Sequence, residues 1–79
     1  MDFVLIRNSK PYLALECKWS TRDFDPRGAK AFSMRYPQAR ICVVAQDVER
    51  PFAHDYAGTT VNFLSLEKLI QLVRREVLR

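Results

Sequence analysis

The sequence predicts a small α/β domain, a mixed sheet of about four strands flanked by two helices, and three patterns carry that expectation. A strand–turn–strand pattern runs from Asp2 to Trp19. The run Arg40-Ile41-Cys42-Val43-Val44-Ala45-Gln46 has the unbroken apolar character of a strand buried on both faces. Helix-start signals stand at Asp25-Pro26 and at Ser65.

In chain order, Asp2–Arg7 and Tyr12–Trp19 read as paired strands, with the turn formers Asn8, Ser9 and Pro11 between them. Asp25 caps a helix whose first residue is Pro26. That helix runs to about Arg35, because Pro37 disfavours helical geometry at Tyr36. Ala29, Phe32 and Tyr36 give it a packing face, and Gly28 either weakens it or permits close approach to the sheet. The apolar run from Arg40 follows as the central strand, reached from the preceding strand through a parallel crossover. Asp47 to Gly58 reads as a polar loop, in which Phe52 and Tyr56, like Phe24 before them, anchor to the core and His54 forms surface hydrogen bonds. Thr59–Leu64 reads as the last strand. Ser65 caps the final helix, with Glu67 in its first turn and Arg74, Arg75 and Arg79 at its end, both favourable to the helix dipole. Leu66, Leu69, Ile70, Val73 and Val77 form its apolar stripe.

Composition sets the outer limits. A chain of 79 residues with 48% apolar residues folds as one small domain, spanning 1–79, near the size at which a single core is marginal. No apolar run is long enough to span a bilayer, which argues against a membrane partner. Cys17 and Cys42 each lie inside an apolar strand, the pattern of buried free thiols in a reducing, cytoplasmic compartment. The net charge of +4 is unevenly placed. Residues 18–40 carry all of the excess through Lys18, Arg22, Arg27, Lys30, Arg35 and Arg40, set against Asp23 and Asp25. Arg22, Arg27 and Lys30 are therefore candidate contacts for a nucleic-acid backbone, and an ordinary solvated basic helix is the alternative.

One cluster carries chemistry. If residues 8–10 form the loop, Arg7 pairs with Pro11 and Asp2 with Glu16. Asp2, Glu16 and Lys18 then share one side of the sheet, because side chains alternate along a strand. Carboxylates about 5 Å apart repel by about 3 kcal/mol at an effective dielectric near 20. A proton, a basic side chain or a hard cation such as Mg²⁺ or Mn²⁺ relieves that repulsion. Lys18 points the same way and is suited to orienting a water or stabilising charge on phosphorus. The bland alternative is a Glu16–Lys18 ion pair at a strand end, worth ~0–1 kcal/mol. Trp19 alternates to the face away from Lys18, where packing is its first role and base stacking a distant second.

Asp2, a hydrophobic strand, a short turn and Leu15-Glu16-Cys17-Lys18-Trp19-Ser20 resemble the core of the PD-(D/E)xK, or restriction-endonuclease-like, nuclease superfamily. Nearly the whole chain is similar to the C-terminal domain of unknown function that follows an AAA-type ATPase in many bacterial and archaeal proteins. The likeness includes Asp2–Leu5, the helix ending before Tyr36-Pro37, Ile41–Asp47, Glu49-Arg50-Pro51-Phe52 and Leu64–Leu69. The resemblance implies that Asp2 and Glu16 bind metal, Mg²⁺ or Mn²⁺, and that Lys18 is catalytic. It implies phosphodiester hydrolysis of nucleic acid, DNA in the first place. It also implies a helix and a strand ahead of Asp2, and an AAA-type ATPase domain in a longer parent chain. The expectation is thus a truncated restriction-endonuclease-like fold with an incomplete site. Its apolar flank is covered by a second copy, by the rest of a parent chain or by a rearranged terminus. The alternative function is a non-catalytic docking or regulatory module of the ATPase.

Overall fold

A computed structural model describes residues 1–77, at residue 77 by its backbone alone. The side chain of Val77 and the whole of Arg79, expected on the stripe and at the end of the last helix, lie outside the described residues.

The fold begins with a hairpin of β1 (Phe3–Arg7) and β2 (Lys10–Lys18). Its loop has two residues: Asn8 and Ser9 both take left-handed backbone conformations, with φ of 54° and 65°. A two-residue turn of this kind matches the natural twist of the flanking strands. Arg7 therefore pairs with Lys10, and the expected Arg7–Pro11 pairing from a three-residue loop is corrected. A bulge then intervenes. Leu5 pairs with Leu13 and Ile6 with Pro11, so Tyr12 is the extra residue on β2. Beyond the bulge Val4 faces Ala14 and Phe3 faces Leu15, the last pair of the ladder; Asp2 lies one residue outside it.

From β2 the chain passes through a short 3₁₀ turn, Thr21–Asp23, into α1 (Pro26–Arg35). Asp25 caps α1 by accepting a hydrogen bond from the Arg27 backbone N–H, and Pro26 opens the helix. A Cβ at Gly28 would meet nothing within 4 Å, so close approach to the sheet does not explain that glycine. The crossover delivers β3 (Arg40–Ala45) parallel to β2, with Leu15 beside Cys42 and Lys18 beside Ala45. All of β3 after Arg40 is buried, as the apolar run predicts.

The segment expected to be a loop contains a further strand. β4 (Phe52–Tyr56) pairs antiparallel with β5 (Thr59–Leu64) across Ala57 and Gly58, so the sheet has five strands in the order β1-β2-β3-β5-β4. Asp55 supports the turn by accepting a hydrogen bond from the Gly58 N–H at 2.9 Å. β4 is an exposed edge strand, and its polar character hid it from a reading based on apolar runs. Its His54 packs against Tyr56 with ring centroids 4.4 Å apart. β5 runs parallel to β3 and leads into α2 (Leu66–Val77). Ser65 caps α2 through its hydroxyl oxygen, which accepts from the Lys68 N–H at 3.1 Å.

The helices cover opposite faces of the sheet. Beneath α1, Ala29 packs with Ile41, Val43, Ala45, Val61 and Phe63, and Phe24, Phe32 and Tyr56 close the edges. Phe24 meets Phe63 edge-on at 5.5 Å, and Phe52 stacks on Phe63 at 4.8 Å, so the aromatics of these segments do anchor to the core. Beneath α2, Leu69 and Leu72 pack on Leu13, Leu15, Cys42, Val44 and Leu64. The expected α2 stripe is thus rotated. Leu66 and Ile70 face outward at 63% and 51% exposure, and Leu72 takes an inner position. Trp19 is 77% exposed and does not pack, and Cys17 is exposed while Cys42 is buried. Phe3 and Ile6 on the β1 edge also remain open to solvent. Among the described residues no helix is long and apolar enough to cross a membrane.

Ala57 adopts φ 53°, a region that crowds its Cβ. Replacing Ala57 with Asn, which accepts this conformation and creates an Asn-Gly hairpin turn, is expected to stabilise the protein by about 0.5–1 kcal/mol. The melting temperature should rise by roughly 2–8 °C in calorimetry. An unchanged or lower value would show that the turn carries no strain worth relieving.

Candidate metal and loop site at the end of β2

Glu16 and Lys18 occupy the last turns of the β2 pleat, on the side opposite Leu13 and Leu15. That is the α1 side of the sheet, where α1 packs chiefly against β5. Both side chains are half-buried, and Asp2 beside them is exposed. The structure therefore sets Glu16 and Lys18 on one face at the end of β2, with Asp2, one residue before β1, reaching the main chain of the intervening Cys17.

The Asp2 carboxylate has a definite partner. Its Oδ2 accepts the Cys17 backbone N–H at 2.8 Å, continuing the β1–β2 ladder one step past the end of β1. A charge-assisted bond of this kind fixes the carboxylate in place while leaving Oδ1 free. Glu16 and Lys18 are not joined to each other by an ion pair; the ion pairs among the described residues are Arg7–Glu76 and Arg27–Asp25. The strand-end salt bridge is thus not the reason these two residues stand together.

Lys18 instead faces the start of α1. Asp25 there has its pKa lowered to about 2, chiefly by the Arg27 side-chain hydrogen bond and then by the Arg27 N–H, with the Lys18 charge as a lesser contributor. Arg27 is bound to the Asp25 carboxylate through Nε at 2.8 Å and through its terminal nitrogen. Of the three candidate backbone contacts, Arg27 is therefore already paired. Arg22 and Lys30 carry no ion pair.

A second constellation adjoins the first, and sequence reading missed it. Asp47, just past β3, accepts hydrogen bonds from Ser20 Oγ at 2.9 Å, Thr21 Oγ1 at 3.1 Å and the Thr21 N–H at 3.0 Å. The Gln46 N–H also donates to the Trp19 carbonyl at 3.3 Å. These bonds tie the loop leaving β2 to the loop leaving β3, and so fix the chain immediately after Lys18. The pairing joins residues 26 and 27 positions apart, and Ser20-Thr21 followed much later by an aspartate is too common a pattern to signal it.

The donor set fits a hard divalent cation in its minimal form. Glu16 at the end of β2 and Asp2, oriented by the Cys17 main chain, supply the one or two protein carboxylates that Mg²⁺ uses when water or phosphate completes its shell. Among the described residues no group of three or more His, Cys, Asp or Glu side chains converges, so a richer protein cage is not present. The larger surface cavity, about 330 Å³ between Ser9–Pro11 and Arg35–Gln38, lies at the other end of β2 and does not serve this corner.

Asp47 gives a test by pH. Its folded pKa is lowered, first by the Thr21 backbone hydrogen bond and then by the Ser20 and Thr21 hydroxyls. A depressed carboxylate stabilises the fold fully above the ordinary Asp value of about 3.9, and that contribution is lost as pH falls through the folded value. Asp47→Asn should therefore lower the urea midpoint at neutral pH, and the difference from wild type should close in acid. A gap that stays constant down to acid pH would assign the effect to lost packing instead.

The chain matches no protein-family model, and neither a curated protein nor a solved structure shows significant similarity to it.

Proposed function

We propose that this chain is a nuclease-like domain suited to Mg²⁺-dependent hydrolysis of phosphodiesters in nucleic acid. The observation that supports it most is the shared face of Glu16 and Lys18 at the end of β2, with the Asp2 carboxylate held by the Cys17 N–H between them and neither Glu16 nor Lys18 in an ion pair among the described residues. A hard divalent cation, when bound, would supply charge neutralisation and a more acidic bound water. Asp2 Oδ1 and the Glu16 carboxylate are the groups that would hold it. Lys18 would orient the attacking water and stabilise charge that develops on phosphate oxygens. Arg22 and Lys30, unpaired, would position the backbone of the nucleic acid through charge rather than base identity. The sequence resemblance to PD-(D/E)xK nucleases supports the same roles.

A non-catalytic docking or regulatory module of an AAA-type ATPase is the second reading. Two observations favour it: Asp2 already spends an oxygen on the main chain, and Arg27 is committed to Asp25.

A cleavage assay separates the two. Supercoiled DNA, single-stranded DNA and RNA are each incubated with Mg²⁺ or Mn²⁺ and with a chelator. The nuclease reading expects metal-dependent cleavage that Glu16→Gln and Lys18→Met each reduce by about 10²-fold or more. The control Arg50→Gln, in the exposed loop, should cleave as wild type does. Cleavage that survives both substitutions, or none by the wild-type chain on any substrate, would reject the assigned roles and leave the docking module.

A further inference from the structure

A cavity of about 220 Å³ lies on the other face of the sheet, between the strands and α2, and its lining is one-sided in charge. Arg40, Lys68 and Arg75 surround it, Cys42, Asn62 and Leu64 form its floor, and Leu72 stands between the two helix cations. No carboxylate lines it.

The sequence places these residues by simple periodicities. Arg40 and Cys42 alternate to the α2 side of β3, and Asn62 and Leu64 do the same on β5. Cys42 and Asn62 are paired neighbours across the parallel ladder. On α2, Lys68, Leu72 and Arg75 follow the spacing that stacks side chains along one helix face. Leu72 is packed on the core, so Lys68 and Arg75 are held on either side of it above the strands. None of the three cations has an ion-pair partner among the described residues. Asn62 donates through Nδ2 to the Ile41 carbonyl at 3.2 Å, which leaves its second amide hydrogen uncommitted.

Three cations from a strand and a helix, an amide donor on the floor and no acidic group make a receptor for a compact multivalent anion. We infer that this cavity binds a phosphoryl group, in the first place the dianion of inorganic phosphate or a phosphomonoester. Arg40 and Arg75 offer planar forks of N–H donors that match phosphate oxygens, and Lys68 adds a point charge. Asn62 can donate from below. A free phosphomonoester suits the cavity better than a polymer backbone, because the three cations line one cavity of about 220 Å³ together with the buried Cys42 and Leu64. The site lies across the sheet from Glu16 and Lys18, so the inference stands apart from the nuclease reading.

The test is a heteronuclear NMR titration of the wild-type chain with inorganic phosphate, a simple phosphomonoester such as glycerol phosphate, and a short single-stranded oligonucleotide lacking a terminal phosphate. Phosphate and the monoester should shift the Cys42 and Lys68 backbone amides and the Asn62 side-chain amide together. Arg40→Gln, Lys68→Gln and Arg75→Gln, each at an exposed position, should each weaken binding about tenfold, while Arg50→Gln leaves it unchanged. The proposal is overturned if shifts spread evenly over all basic residues. It is also overturned if the three substitutions leave the affinity intact, or if the oligonucleotide alone binds, which would make the cavity part of a polynucleotide surface.

Discussion

Two adjacent turn residues in left-handed conformation, Asn8 and Ser9, and one extra residue opposite the Leu5–Ile6 step, Tyr12, set the register on which the rest of the molecule depends. The tight turn alone would pair Arg7 with Lys10 and carry that offset to the end of the hairpin. The bulge restores the missing step, so Phe3 meets Leu15 and Asp2 reaches the Cys17 N–H. Because side chains alternate, this choice also sends Leu13 and Leu15 beneath α2 and turns Ala14, Glu16 and Lys18 to the opposite side. A one-residue slip would exchange those faces, burying two charges and exposing two leucines. Burying an unpaired charge costs several kcal/mol, far more than one hairpin turn is worth. Core formation and the placement of the polar corner are therefore decided together.

β3 carries that register across the sheet. Its central residues are buried on both sides, and its two ends serve different chemistry. At its C-terminal end, Asp47 fastens the loop that follows Lys18, which limits how far the corner of Asp2, Glu16 and Lys18 can spread. At its N-terminal end, Arg40 leans to the other face and joins Lys68 and Arg75. The acidic corner and the basic cavity are separated both by the thickness of the sheet and along its strands. The proposed cation and anion sites would thus not neutralise one another. The hydrogen bond from Cys17 to Asp2 fits this division: it uses one oxygen, orients the other, and adds no positive charge to the corner.

Local signals transmitted well. Asp25-Pro26 marked the start of α1, Pro37 its end, and the β-branched run from Ile41 the central strand, because each depends on backbone sterics or burial within a few residues. Features that depend on partners far along the chain transmitted poorly. The hairpin reading placed Asp2 opposite Glu16 with the wrong loop length, and the bulge at Tyr12 made good the difference. β4 escaped notice because Phe52–Tyr56 is polar, exposed and joined to β5 by Ala57-Gly58, which lacks the usual asparagine or aspartate at its first position. Leu66 and Ile70 fit an apolar stripe by spacing, yet the sheet contacts Leu69 and Leu72 instead. Trp19 was assigned to packing by alternation, but β2 ends at Lys18 and nothing covers the position beyond it. The candidate corner was legible as three residue types in order; the loop ties around Asp47 and the convergence on Arg40 were not.

The central claim is that hairpin register alone assembles a cation-holding corner from Asp2 and Glu16. Paramagnetic line broadening by Mn²⁺ at substoichiometric concentration measures this most directly, residue by residue. The account predicts that the amides of Phe3, Cys17 and Lys18 broaden first in the wild-type chain, and that Asp2→Asn or Glu16→Gln removes the effect. Broadening centred on other acidic residues such as Glu49 or Glu67, unchanged by those substitutions, would contradict it.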